Sequence, residues 1–120
     1  MTKQTCEEIA RLWMLAFNEH QIENLLELYH ENAIHFSPKL KERKPETNGL
    51  IIGKLALRDW WTDAFLRLPS LSYEPVQFIS DEHNIFMDYI RHVDGELDLR
   101  VGELLKIKNG KIIESRVYHS

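Results

Sequence analysis

The chain has 120 residues, with 15 Lys and Arg against 19 Asp and Glu, and therefore a formal net charge of −4. Hydrophobic residues make up 43% and charged residues 28%, so residues 1–120 are predicted to form a single globular domain. An acidic chain lacks the basic footprint of a nucleic-acid-binding protein, and no apolar run approaches the roughly 18 residues that suggest a membrane span. We therefore expect neither nucleic acid nor membrane as a partner.

Cysteine content and the N-terminus favour a cytoplasmic protein. Cys6 is the only cysteine, so the chain cannot form an internal disulfide or a cysteine cluster for a metal. Residues 1–5 lack the apolar segment of a signal peptide. Both features predict a location in the reducing cytoplasm.

Three helices are predicted before Pro69. Thr5 begins the first, because Thr5 and Glu8 have the spacing of a capping box. The second begins at Ile22, and the third follows Gly53. Each has one apolar face at helical spacing. The residues of these faces are Ile9, Leu12, Trp13, Ala16 and Phe17; Ile22, Leu25, Leu26 and Tyr29; and Leu57, Trp60, Trp61, Ala64, Phe65 and Leu68.

Five strands are predicted. A short strand covers 33–36, and the polar residues 37–50 are expected to form a long loop. Four further strands cover 71–80, 85–93, 96–107 and 111–119, separated by turns that contain Asn or Asp with Gly or other polar residues. The order α-α-β-α-β-β-β-β predicts an α+β fold, with helices packed on one face of an antiparallel sheet.

The turns predict which side chains face inward. Three-residue loops at 93–95 and 108–110 place the odd-numbered residues of the last strands on the inner face. Leu97 would then face inward, Leu105 would lie opposite Ile113, and Glu103 would lie opposite Ser115.

Glu103 interrupts this inward apolar stripe. A carboxylate on an apolar sheet face is costly unless it is paired, protonated or hydrated, and burial would raise its pKa. A general acid is one explanation. Two structural alternatives remain: a bulge at Gly102 turns Glu103 outward, or the carboxylate is satisfied by Ser115 or a buried Arg.

Two of the six histidines are candidates for chemistry. His119 has the inward parity, whereas strand periodicity would bury Ile34 and Phe36 and leave His35 outside. The histidines lack the spacing of a metal site, and no cofactor-binding motif is present, so neither a metal nor a cofactor is predicted.

The pattern of several residues resembles the nuclear-transport-factor-2-like superfamily, and within it the SnoaL-like polyketide cyclases, with ketosteroid isomerases nearby. The residues that carry it are Trp13-x3-Phe17-Asn18, Ile22 to Tyr29, Asn32-Ala33, Pro38, Gly53, Trp60-Trp61, Asn109-Gly110-Lys111-Ile112 and Tyr118. The resemblance covers nearly the whole chain. It implies a curved mixed or antiparallel sheet wrapped around helices as a cone, an apolar pocket, and a homodimer formed through the outer sheet face.

The resemblance matches the acting groups of ketosteroid isomerases only in part. Ser37 stands where that family has an Asp before Pro, and Trp13 where it has an oxyanion-binding Tyr. Glu103 matches a protonated Asp, and Trp61 a further pocket Tyr. Two of the three principal groups are absent, which disfavours steroid isomerisation. Likeness to the polyketide cyclases instead implies an acid–base pair of Glu103 with His35 or His119, and it aims positions 35 and 37 at the pocket.

These observations predict a protein that binds a small apolar organic molecule. It would be a cofactor-free isomerase, cyclase or hydratase with Glu103, His35 and His119 as catalytic residues; the alternative is a non-catalytic binding or dimerisation module. The basic run at 39–44 would be a solvated segment or a lid over the pocket. Residues expected to contact the ligand are Trp13, Phe17, Ser37, Trp61, Phe65, Met87, Tyr89, Val101, Ser115 and Val117.

Overall fold

The computed structural model describes the backbone of residues 3–119 and the side chains of residues 6–118. The helices are α1 (Lys3–Asn18), α2 (Ile22–Glu27), α3 (Pro38–Arg43) and α4 (Lys54–Arg67), with a short 3-10 turn at Pro45–Thr47. The strands are β1 (Tyr29–Phe36), β2 (Leu50–Ile52), β3 (Ser72–Ser80), β4 (Asn84–His92), β5 (Leu99–Lys108) and β6 (Lys111–His119).

The six strands form one curved mixed sheet in the order β2-β1-β6-β5-β4-β3. β1 and β6 are parallel, and the other neighbouring strands are antiparallel. Helix α1 packs on β3 and β4, and α4 packs on β1 and β2. The core lies between these helices and the inner sheet face. The predicted α+β class is confirmed.

Three local predictions in the first half of the chain are wrong. Tyr29, expected on the second helix, begins β1, so this strand starts before the predicted residue 33. Helix α1 already includes Lys3, so Thr5 lies inside the helix and cannot be its N-cap. Residues 37–50 are not a plain loop, because they contain α3, the 3-10 turn and the start of β2. Ser37 and Pro38 together explain α3: the Ser37 hydroxyl accepts a hydrogen bond from the Leu40 amide, and Pro38 occupies the first helical turn.

The β4–β5 connection is longer than predicted. β5 begins at Leu99, so the connection covers residues 93–98 and Leu97 is 94% exposed instead of facing inward. Tyr89 therefore lies opposite Val101, and Met87 opposite Glu103. These pairs still join odd-numbered residues, so the predicted inward face of both strands is retained in spite of the longer loop.

The β5–β6 register also differs from the prediction. Lys108 pairs with Lys111, which leaves Asn109 and Gly110 as a two-residue turn. Both have positive φ, 52° and 79°, as a type I′ turn requires. A register shift follows between Lys106 and Ile107, with Ile113 as the additional residue on β6. Glu103 therefore lies opposite Val117, and Ser115 opposite Leu105.

Among the helices described, none combines the length and the apolar character needed to span a lipid bilayer.

Candidate functional site

A cavity of about 270 Å³ lies between helices α1 and α4 and the inner face of the sheet. Six aromatic and six aliphatic residues contribute to its lining, beside polar and charged ones. Trp13 and Phe17 come from α1, and Tyr73 and Tyr89 from β3 and β4. The Tyr73 ring stacks between those of Phe17 and Tyr89, at 4.0 and 4.1 Å between centroids. This arrangement suits a flat or elongated apolar ligand.

Glu103 places a carboxyl group in this apolar wall. Its side chain is 1% exposed, and its Oε1 accepts a hydrogen bond of 2.9 Å from the Tyr89 hydroxyl. Oε2 is the one fully buried side-chain oxygen or nitrogen without a hydrogen-bond partner among the side chains described. Burial raises the pKa of Glu103 to about 7, against the opposing effect of the Tyr89 hydrogen bond. The carboxyl group can therefore exist in either protonation state near neutral pH.

Regular pairing of β5 directs Glu103 inward. Gly102 lies opposite Asp88 on one side and Tyr118 on the other without a register shift, so the bulge considered at Gly102 does not form. A Cβ at Gly102 would lie 2.3 Å from the Phe86 ring, which covers this position on the outer sheet face. Neither Ser115 nor an arginine satisfies the carboxylate, whose only hydrogen-bond partner among the residues described is Tyr89.

A second group of buried polar side chains leads to His35. The Trp13 indole donates to the Tyr29 hydroxyl at 3.0 Å, and that hydroxyl donates to Ser115 Oγ at 3.4 Å. Ser115 Oγ lies 2.5 Å from His35 Nδ1. The Ser115 hydroxyl can give its own proton to Nδ1, and we infer this direction for the hydrogen bond. The ring proton of neutral His35 then lies on Nε2.

His35 lies inside, not outside as strand periodicity predicts. It is 3% exposed and lines the cavity, whereas Ile34 and Phe36 are only half-buried. Burial lowers the pKa of His35 to about 4, so the ring is neutral at pH 7. A neutral ring with a proton on Nε2 is a hydrogen-bond donor and a weak base.

Most of the side chains predicted to contact a ligand do line the cavity. They are Trp13, Phe17, His35, Ser37, Trp61, Tyr89, Val101, Glu103 and Val117. Trp60 lines it as well, so both adjacent tryptophans of α4 contribute. The backbone of His119 pairs with Val101, but its side chain lies outside the described residues.

Three predicted contact residues lie outside the lining. The Phe65 ring stacks on His20 at 4.0 Å between centroids. Met87 is fully buried in the core beneath the wall. Ser115 is covered by the two groups that it bonds, Tyr29 and His35. Ser115 therefore acts on His35 instead of touching a ligand.

Sequence reasoning missed the charged residues at the open end of the cavity. Arg91 follows Ile85, Met87 and Tyr89 on the inward parity of β4, and this signal could have identified it. The predicted lid or solvated run contributes Lys39, Glu42 and Arg43 to the lining, together with Arg67 and Glu96 from elsewhere. Within the part of the chain described, no three His, Cys, Asp or Glu side chains group as metal ligands would.

The chain is thus an α+β protein in which helices pack on a curved sheet and a cavity lies between the two. A family model of the SnoaL-like domain matches residues 10–115. The chain therefore belongs to the SnoaL-like family. No curated protein matches the chain significantly.

Solved structures share the fold at low sequence identity. A SnoaL-like protein of unknown function from Burkholderia thailandensis E264 has a TM-score of 0.88 and 18% identity, over 99% of this chain and 97% of that one. A candidate ketosteroid isomerase from Kribbella flavida DSM 17836 has a TM-score of 0.80 and 16% identity, over 99% and 79%. A candidate polyketide cyclase from Sinorhizobium meliloti has a TM-score of 0.78 and 16% identity, over 92% and 94%.

Proposed function

We propose that the protein binds a small, largely apolar carbonyl compound in the cavity and moves a proton on it without a cofactor, as an isomerase, cyclase or hydratase. The observation that supports this proposal is Glu103 Oε2, a buried carboxyl oxygen without a hydrogen-bond partner among the residues described, in the lining of the cavity. Leaving such an atom unpaired is unfavourable, and a ligand would supply the missing partner.

The proposed step uses Glu103 as a proton shuttle. Its ionised carboxylate takes a proton from the carbon next to the ligand carbonyl, and the electron pair of that C–H bond moves to the oxygen as an enolate. In an isomerisation the protonated Glu103 returns the proton to another carbon. In a cyclisation the enolate carbon attacks a second carbonyl of the ligand, and Glu103 protonates the alkoxide formed. A carboxyl pKa of about 7 suits both directions of transfer.

His35 would assist as a donor in this scheme. Its Nε2 proton is positioned by the chain of donors from Trp13 through Tyr29 and Ser115, and it can hydrogen-bond the developing oxyanion. Its lowered pKa makes it a poor base, so we assign the base function to Glu103 and not to His35. His119 remains a prediction as an alternative base.

Glu103→Gln tests this function with little change in volume. Purified protein is incubated with a panel of apolar ketones, diketones and enones, and products are identified by mass spectrometry and NMR. We expect turnover to fall by about 10²–10⁴-fold in the variant, because the amide cannot shuttle a proton. Glu114→Gln on the neighbouring strand, where the side chain faces the outer surface and Arg116, is the matched control. Unchanged turnover in Glu103→Gln would exclude the mechanism.

A non-catalytic binding module is the second candidate. Two observations favour it: the Ser37 hydroxyl caps α3, and the Trp13 indole proton is held by Tyr29. Neither residue is therefore free to replace the catalytic groups that a ketosteroid isomerase has at these positions. A ligand that raises the melting temperature of the protein and is recovered unchanged would support the binding module.

A further inference from the structure

The open end of the cavity is more basic than the chain as a whole. Four cationic side chains line it, against two acidic ones apart from the buried Glu103: Lys39, Arg43, Arg67 and Arg91 against Glu42 and Glu96. All six are at least partly exposed, which identifies them as the rim and not the floor. In the full sequence acidic residues outnumber basic ones, 19 to 15. A local reversal of charge at a cleft attracts anions from solution.

Arg91 already has a carboxylate partner, Glu96, in this structure. Arg91 Nη1 lies 2.8 Å from Glu96 Oε1, and the Arg91 side chain is only 12% exposed. Arg91, and to a smaller degree Lys39, lowers the pKa of Glu96. Glu96 comes from the exposed β4–β5 connection, next to Gly95. The rim therefore contains a position whose chemistry accepts a carboxylate, occupied in this structure by a side chain on a surface loop.

The other two rim arginines, Arg43 and Arg67, contact a different carboxylate from Arg91. Arg67 and Arg43 both lie near Asp63, at 2.7 and 3.7 Å. Asp63 does not line the cavity, so part of their charge is neutralised from outside. Lys39 has no ion-pair partner within 4.0 Å in the described part of the chain. The partner of Arg91, Glu96, lines the cavity, so a ligand anion can compete with it directly. Arg91 and Lys39 are therefore the best placed to bind an anion that enters the cavity.

Strand register gives the separation between this basic pair and Glu103. Arg91 lies opposite Leu99, and Met87 lies opposite Glu103, so the two levels are four residues apart along β4. At about 3.4 Å per residue this is roughly 14 Å between backbone positions. Tyr89 stands halfway, with its ring facing the cavity. One elongated ligand can reach both ends.

We infer that the ligand is an oxo acid: its carboxylate binds at Arg91 and Lys39 in competition with Glu96, and its apolar body extends along Tyr89 toward Glu103. The carboxylate part of this inference stands on the rim alone, whereas the ketone at the Glu103 end rests on the proposed function. Charge-assisted hydrogen bonds to a half-buried arginine give the acid its advantage over a neutral ligand of the same shape.

The test compares acids with their methyl esters. The probes are 5-oxo-5-phenylpentanoate and 8-oxo-8-phenyloctanoate, which differ in the distance between ketone and carboxylate, and the methyl ester of each. Binding is followed by tryptophan fluorescence, since all three tryptophans of the chain line the cavity, and by calorimetry. We expect at least one acid to bind about tenfold more tightly than its ester, and the difference to shrink as salt is raised.

Three substitutions locate the acid-binding position. Glu96→Gln removes the competing carboxylate and should strengthen acid binding about threefold or more, which a merely disruptive change would not do. Arg91→Gln should weaken acid binding about tenfold and leave ester binding unchanged. Lys39→Gln, on exposed α3, should weaken it less and covers the case in which Arg91→Gln does not fold. Arg11→Gln, an exposed arginine of α1 that pairs with Glu7, is the control.

The outcomes separate this inference from the proposed function. Preferential acid binding with no product from either acid supports the carboxylate site and counts against catalysis. Equal affinity for acid and ester overturns the carboxylate site, even if neutral ketones are turned over. A loss of acid binding in Arg11→Gln equal to that in Arg91→Gln would also overturn it. Binding of none of the four probes overturns the carboxylate site, whereas the proposed function is decided by the Glu103→Gln experiment.

Discussion

Glu103 and His35 make opposite contributions to the pH dependence of stability. The folded protein keeps a proton on Glu103 up to a pKa of about 7, whereas an ordinary glutamate loses it near 4.5. The stabilisation from this group is complete below about pH 4.5 and is lost as the pH rises to about 7. His35 has a pKa of about 4 against an ordinary 6.5, so its contribution is complete above 6.5 and is lost as the pH falls toward 4.

Single substitutions should separate these two slopes. In the unmodified protein they oppose each other between about pH 4.5 and 6.5. Glu103→Gln should leave a free energy of unfolding that rises with pH up to about 6.5, and His35→Asn one that falls with pH up to about 7. Over its pH range, the free energy of unfolding of each variant should change by about 3 kcal/mol. Urea unfolding from pH 4 to pH 8 measures this free energy. Comparing the two variants removes the contribution of surface groups such as His92, which both variants share. Parallel profiles for the two variants would contradict the burial of both groups.

Ser115 does not line the cavity, but its hydrogen bond to Nδ1 determines which ring nitrogen of His35 carries the proton. Ser115→Ala removes the acceptor of Tyr29 and the partner of His35 Nδ1, and should lower the free energy of unfolding by about 1–3 kcal/mol. It should also allow the ring proton to move to Nδ1. Nitrogen NMR shifts of the His35 ring report its position. Ser80→Ala, at a partly buried surface hydroxyl bonded to Glu7, is the control. A protonated Nδ1 in the unmodified protein would refute the assigned donor order.

The strands show which parts of the structure could be predicted from the sequence. Alternation of apolar residues on β4 and β5 put Glu103 on the inward parity, because alternate residues in the middle of each strand are buried. It did not decide whether a bulge at Gly102 turns the side chain outward. The lengths of the turns were predicted less well. Asn109-Gly110 is compatible with a loop of two or three residues. The two-residue loop is combined with a bulge at Ile113, and the apolar pattern of β6 does not indicate that bulge.

β1 was predicted less well for a different reason. Tyr29 continues the apolar spacing of α2, yet it begins β1 and joins the hydrogen-bond chain to His35. His35 is buried because α4 covers that end of the sheet, with Trp61 at 6.4 Å from its ring. Tertiary packing of this kind overrides local periodicity. The rim residues were missed because their role depends on where α3 and the β4–β5 connection meet.

Gly102 couples β5 to β4 on the outer face. Gly102→Ala should destabilise the protein by about 1–3 kcal/mol, because its Cβ would collide with the Phe86 ring. In a Phe86→Ala background the same change should cost much less, as a double-mutant cycle of chemical unfolding would reveal. Gly110→Ala is the contrast: with φ of +79° and no atom within 4 Å, its cost of about 1 kcal/mol is conformational and should not change with Phe86. Additive costs for Gly102 and Phe86 would reject the contact.

On the level of the whole molecule, the outer sheet face carries a continuous row of side chains across five strands. Ile79 pairs with Phe86, Phe86 with Leu104, and Leu104 with Arg116, which also pairs with Phe36. Arg116 lies over the Phe36 ring at 4.8 Å. Ile79 is 59% exposed, and the others are half-buried. Four of the five side chains are apolar, and a partly exposed apolar row of this kind suits contact with a second copy related by twofold symmetry.

We therefore propose that the protein forms a homodimer through this row, and Leu104→Lys tests it. A lysine near the centre of an apolar contact loses its hydration on association, so the variant should remain monomeric where the unmodified chain is dimeric. Leu55→Lys, at a residue 75% exposed on α4, makes the same change away from the sheet and should leave the dimer intact. Sedimentation equilibrium measures both. A monomeric unmodified chain at 100 µM, or equal dissociation by the two variants, would refute this interface. Because the cavity opens on the opposite face of the sheet, Leu104→Lys should bind the oxo-acid probes as the unmodified chain does.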